Sequence, residues 1–181
     1  MSPSNPGGAP RRLASFRMTD LGITLAAGAA LLCAGPAGAH VSIQPQTAPA
    51  GAYQVLRFGV GHGCEAQGTT QLRLEMPPGL GAARPQPKPG WKLTVERQGE
   101  TVTAIVWRGA LPADQFDEFI VLVKLPPDAA PLAFPAIQSC GKTAVRWAEP
   151  TPPGGPRPSH PAPVLTLVPV ASPAASHDHH R

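Results

Sequence analysis

The chain has 181 residues, 15 Lys and Arg against 11 Asp and Glu for a formal charge of +4, and is 42% hydrophobic but only 5% aromatic, with 25 prolines and 19 glycines. No segment reaches the ~18 uninterrupted apolar residues of a membrane-spanning helix. No basic stretch interleaved with aromatics offers a footprint for nucleic acid.

At the amino end, Arg11, Arg12 and Arg17 precede an apolar run from Leu21 to Cys33, followed by Pro36 and the small residues Ala37 and Ala39. This is the basic, apolar and A-x-A succession of a secretory signal peptide over residues 1–39, with an apolar stretch too short to serve as an anchor. Arg11-Arg12 alone does not separate twin-arginine from general export. Leu32 stands before Cys33 where a lipoprotein signal requires a small residue, so no lipid anchor is expected. Cleavage after Ala39 leaves 142 residues, enough for one domain with a real core, exported to a periplasm or the extracellular space. It removes three basic residues and one acidic residue, which brings the charge to +2.

Cleavage also makes His40 the first residue. Its α-amino group and imidazole Nδ1 can then close a chelate ring on one metal ion, a nitrogen pair that suits Cu(II). An internal histidine cannot do this. The plain alternative is that His40 follows the cleavage site by chance. Cys33 leaves with the signal, so Cys64 and Cys140 form an even count in an oxidising compartment. One disulfide is expected, stabilising by roughly 4 kcal/mol on the chain-entropy account. A pair of thiolate metal ligands is the alternative, weakened by the absence of C-x-x-C spacing.

From His40 to about Pro150 the pattern is strand-like, with period-two alternation between turn residues. Strands are expected at 41–44, 53–60, 69–76, 91–97, 101–107, 118–125, 132–138 and 143–148. Trp91, Leu93 and Val95 share one face, Lys92, Thr94 and Glu96 the other, and Gln98-Gly99-Glu100 reads as a tight hairpin turn. Many short strands with regular turns point to a single all-β domain, an antiparallel sandwich. Residues 151–163 read as a Pro-rich linker, Val164–Val170 as a further strand or edge segment, and 171–181 as a polar tail carrying His177, His179 and His180.

No G-x-S-x-G, phosphate-binding glycine loop or H-E-x-x-H is present, and Asp114, Asp117 and Glu118 read as a solvated turn before a strand, so no enzyme is expected. Gly61-His62-Gly63-Cys64-Glu65 places an imidazole, a sulfur and a carboxylate within five residues directly after a strand. His62 and Glu65 are each either metal-site residues or ordinary loop side chains. Trp147 follows Cys140 closely, and a disulfide would bring it near Glu65; its alternative is core packing, the expected place of Trp91 and Trp107. A blue-copper site needs Cys with two His and usually an axial Met. The mature chain has a single Met76, and no histidine soon after Cys140.

His40-Val41-Ser42-Ile43 after A-G-A, the Gly61–Glu65 segment with Thr69-Thr70, Pro89-Gly90-Trp91, Cys140-Gly141 and Arg146-Trp147 together resemble the YcnI-like copper-binding proteins of bacteria. The resemblance covers about His40 to Pro150. It implies an immunoglobulin-like or cupredoxin-like β-sandwich that binds one Cu(II) through a monohistidine brace. His40 would supply the amine and Nδ1, Glu65 a carboxylate oxygen, and Trp147 would lie against the metal, with His62 a candidate neighbour. The expected role is a copper carrier or chaperone in copper homeostasis, handing copper to a copper-transporting membrane protein or another periplasmic copper protein. A copper oxygenase resembling lytic polysaccharide monooxygenases is the enzymatic alternative. It needs a second histidine, which only His62 or His160 could supply outside the tail. A pendant sandwich domain contacting protein or cell wall is the third reading.

Overall fold

The computed structural model describes residues 40–170. The signal peptide expected over residues 1–39 and the tail histidines His177, His179 and His180 lie outside the described residues. Every regular element described is a strand: β1 (Val41–Gln44), β2 (Thr47–Pro49), β3 (Tyr53–Val60), β4 (Thr69–Glu75), β5 (Ala82–Pro85), β6 (Lys92–Gln98), β7 (Thr101–Leu111), β8 (Asp117–Lys124), β9 (Leu132–Ala133), β10 (Ala136–Cys140), β11 (Thr143–Trp147) and β12 (Val164–Val168).

Two antiparallel sheets, in the orders β1-β3-β8-β5 and β11-β10-β4-β7-β6, form the body. Alternation decides which face each sheet buries. Leu56, Phe58 and Val60 of β3 and Phe119, Val121 and Val123 of β8 turn inward, as do Leu72 and Leu74 of β4 and Ile105 and Trp107 of β7. Trp107 from one sheet meets Phe119 from the other at 5.4 Å between ring centroids, and Trp91 meets the same phenyl edge-on at 4.9 Å. Trp107 is therefore a core residue, as its alternation implies, and Trp91 packs half-buried beside it.

A third sheet, β2-β12-β9, differs in kind because β12 pairs β2 in parallel. Of the two readings of Val164–Val170, a further strand or an edge segment, the strand is found: β12 lies between two neighbours, with Leu165 and Leu167 in the core. Pro169 falls just past its end and interrupts no hydrogen bond. The folded unit thus runs past Pro150 to the end of β12. The single strand expected at 132–138 is two, β9 and β10, because Pro135 has no N–H to continue a ladder. β2 and β5 are too short and too rich in Ala and Pro to show period-two alternation, and β7 extends four residues beyond the expected Trp107.

The edge strands β1 and β11 belong to different sheets and end up on the same side of the sandwich. His40, immediately before β1, lies against Trp147, the last residue of β11. The connection from β3 to β4, residues 61–68, closes the same region.

Candidate metal centre

His40 is half-buried, with its imidazole centroid 5.6 Å from that of Trp147 and the rings tilted by 45°. It stands at the meeting of two grooves. One, of about 280 Å³, is lined by Ser42, Arg57, Gly61 and Phe116, and the other, of about 570 Å³, by Gln46, Arg157, Pro161 and Thr166. A nitrogen donor placed there is reachable from solvent yet backed by an indole.

Glu65 is exposed at the tip of a two-residue turn, where Cys64 and Gln67 exchange both backbone hydrogen bonds at 3.0 Å. Its φ of 55° lies in the left-handed region, which costs a non-glycine residue with no short polar side chain of order 1 kcal/mol. Strain of this kind at an exposed carboxylate is a physical reason to look for function there. The turn is tight because Gly63 has no side chain: a Cβ there would sit 1.9 Å from the Gln67 carbonyl oxygen.

His62 is half-buried, and its Nδ1 lies 2.6 Å from the Gly63 carbonyl oxygen. A carbonyl only accepts, so Nδ1 carries the proton in that contact. Cys64 and Cys140 are joined in a disulfide with Cα atoms 5.8 Å apart, and the Cys64 N–H donates to Cys140 Sγ at 3.1 Å. The alternative of two thiolate ligands is thereby set aside, and the disulfide anchors the turn bearing Glu65 to the end of β10.

Trp147 is 4% exposed and held from several directions. Its Nε1 donates to Gln138 Oε1 at 3.2 Å, and His160 lies against its ring at 5.1 Å between centroids. His160 is itself pinned: its N–H donates to Glu149 Oε2 at 2.7 Å, and its carbonyl accepts from both Ala148 and Glu149 N–H at 3.0 Å. The segment expected as a Pro-rich linker therefore has its later part held against the indole through His160. Sequence reasoning weighed His160 only as a second histidine for an oxygenase and passed over Gln138. The visible signal for Gln138 was a polar residue at an inward position of the alternation Leu132, Phe134, Ala136, Gln138.

The structure thus brings together His40 and Trp147 directly, and ties the 62–65 turn to Trp147 through Gln138. Among the described residues no group of three or more His, Cys, Asp or Glu side chains gathers to hold a metal ion. No described helix is long and apolar enough to cross a membrane.

Residues 40–167 match a domain of unknown function, DUF1775. The copper-binding protein CutI of Bacillus subtilis (strain 168) is 29% identical over 114 residues, which are 61% of this chain and 55% of that relative, so the match spans little more than half of its length. A crystal structure of an uncharacterized protein from Nocardia farcinica, described as immunoglobulin-like, superposes with a TM-score of 0.61 at 32% identity, over 71% of this chain and 97% of that one.

Proposed function

Because the chain belongs to the DUF1775 family of YcnI-like copper-binding proteins, we propose that it is an exported Cu(II)-binding protein that carries copper in bacterial copper trafficking, without being an enzyme. His40 and Glu65 are the metal ligands of this reading, and Trp147 lies against His40. The observation that carries it is His40 set at the start of β1 with its ring against Trp147. The donor chemistry fits: an imidazole, an α-amine and a carboxylate are nitrogen and oxygen donors of the kind that tetragonal Cu(II) takes. The buried indole, hydrogen-bonded at its nitrogen, shields one side of such a centre and limits solvent access. The disulfide keeps both sulfurs out of the donor set.

Copper in this reading is cargo. A carrier has to release its metal, and the grooves on either side of His40 leave the ligand reachable by an acceptor, either a copper-transporting membrane protein or another periplasmic copper protein. The enzymatic alternative draws on one observation, that His160 shares the Trp147 indole with His40. Ascorbate-driven oxidation of a polysaccharide by the copper-loaded protein would favour it.

The test joins processing to coordination. Intact mass of the exported protein should place the amino terminus at His40, and Cu(II) titration followed by electron paramagnetic resonance should give one tight nitrogen- and oxygen-ligated site. A protein retaining one extra residue before His40 should keep its fold and lose that signal. An unchanged spectrum and affinity in the extended protein would end the brace assignment.

A further inference from the structure

We propose that Gln138 is the positioning residue of this centre, a single buried amide that holds the 62–65 turn and the Trp147 indole in one fixed relation. Its consequence for copper rests on the reading above; its structural part does not.

Among the described residues the buried polar side chains are Thr69 and Gln138, 0% and 1% exposed, and they bond each other. The buried polarity of the described domain is therefore concentrated at this one place. A primary amide offers two N–H donors and a carbonyl acceptor. Nε2 donates to the His62 carbonyl at 2.8 Å and to Thr69 Oγ1 at 2.8 Å, while Oε1 accepts from Trp147 Nε1 at 3.2 Å. The orientation of the amide is fixed by chemistry, because a carbonyl only accepts and an indole N–H only donates. Thr69 Oγ1 in turn lies 4.0 Å from Cys140 Sγ, so the network ends on the disulfide that anchors the same turn.

Satisfying an indole is not a sufficient reason for this amide. Trp107 Nε1 is buried with no hydrogen-bond partner among the described residues, so this core tolerates an orphan indole N–H. What Gln138 adds is a link: the carbonyl it holds belongs to the residue three before Glu65, and the ring it holds is the one against which His40 lies. The turn leaves β3, which shares a ladder with β1 up to the pair Val41 and Val60, whereas Gln138 and Trp147 belong to the other sheet, so the amide ties the ligand-bearing end of one sheet to the indole of the other. A fully satisfied buried network of this kind specifies one arrangement of its members, and a partly satisfied one does not.

The experiment uses the mature protein with Gln138→Met, Trp147→Phe, the double variant, and Leu125→Ala as a core substitution just past the far end of β8. Without metal, hydrogen exchange of the Trp147 indole proton and of the amides 61–67 should accelerate at least tenfold in Gln138→Met beyond any global change. With Cu(II) alone, affinity measured against a competing chelator should fall about tenfold. The double variant should lose little more affinity than the worse single one, as expected when two side chains act through one contact. Leu125→Ala, at comparable loss of thermal stability, should leave the local exchange and the affinity unchanged. Unchanged local exchange, unchanged affinity with a loosened turn, or an equal effect from Leu125→Ala would each overturn the proposal. If Gln138→Met does not fold, Gln138→Glu serves: its carboxylate still accepts from the indole but gives His62 no donor, so the 61–67 amides should loosen while the indole proton stays protected. Failure of the unmodified mature protein to bind Cu(II) would remove the functional reading, and the metal-free exchange would still decide the role of Gln138.

Discussion

At the scale of single residues, Glu65 separates stability from binding. Its positive φ is unfavourable for glutamate and suits asparagine, which adopts the left-handed region in two-residue turns with little cost. Glu65→Asn should therefore leave the melting temperature unchanged or raise it by a few degrees, in line with up to ~1 kcal/mol of relieved strain. The same change shortens the side chain and removes the charge, so Cu(II) affinity should drop at least tenfold in a chelator competition. Retained affinity would show that the carboxylate is not a ligand. This site was only partly legible in the sequence. His40, Glu65 and Trp147 could be named because unusual residues stand at recognisable places. Gln138 and the placement of His160 depend on which strands become neighbours, and no local pattern specifies that.

Among elements, the join between the 61–68 connection and β10 is covalent. The cysteines are 76 residues apart in sequence, so their bond restricts a long loop of the unfolded chain. Replacing both with alanine should cost about 4 kcal/mol in chemical denaturation, on the chain-entropy account. Alkylation of the unreduced protein beginning at His40, from which Cys33 is gone, should find no free thiol. A second link crosses β7: the Arg73 guanidinium of β4 hydrogen-bonds Glu96 of β6 and holds its carboxyl below the ordinary carboxylate range, while the arginine is raised. A carboxyl depressed in the folded state contributes stability that is present above its unfolded pKa and lost as pH falls through the folded one. Glu96→Gln should thus lower the melting temperature slightly at neutral pH, and the gap should close in acid and shrink in high salt, since the pair is only partly buried. Strands with clean alternation, such as Tyr53–Val60 and Lys92–Gln98, were legible within a residue or so. The break at Pro135 and the short β2 and β5 were not, because pairing partners rather than side-chain periodicity define them.

For the whole molecule, the late strand β12 completes the domain. Leu165 and Leu167 are 0% and 4% exposed, and burying two leucine side chains contributes about 3–6 kcal/mol. A chain ending at Val170 should melt as the full-length protein does, whereas one ending at Pro163 should lose cooperative unfolding or melt at a much lower temperature. Equal melting of the two would mean that β12 is dispensable. The sandwich class was legible from turn spacing and alternation, since those are local. The parallel pairing of β12 with β2 joins distant parts of the chain and left no local trace.

That pairing has a consequence in time. Thr166 lies opposite Thr47, so one of the first strands to be synthesised finds its partner in the last. As the polypeptide emerges from its amino end, residues 47–49 wait for nearly the entire chain before their ladder can close, and contacts so far apart in sequence form slowly. The segment carrying His40 directly precedes them. His40 too meets its neighbour late, because the Trp147 ring against which it lies ends β11, and both ends of the chain must be present before this side of the sandwich closes.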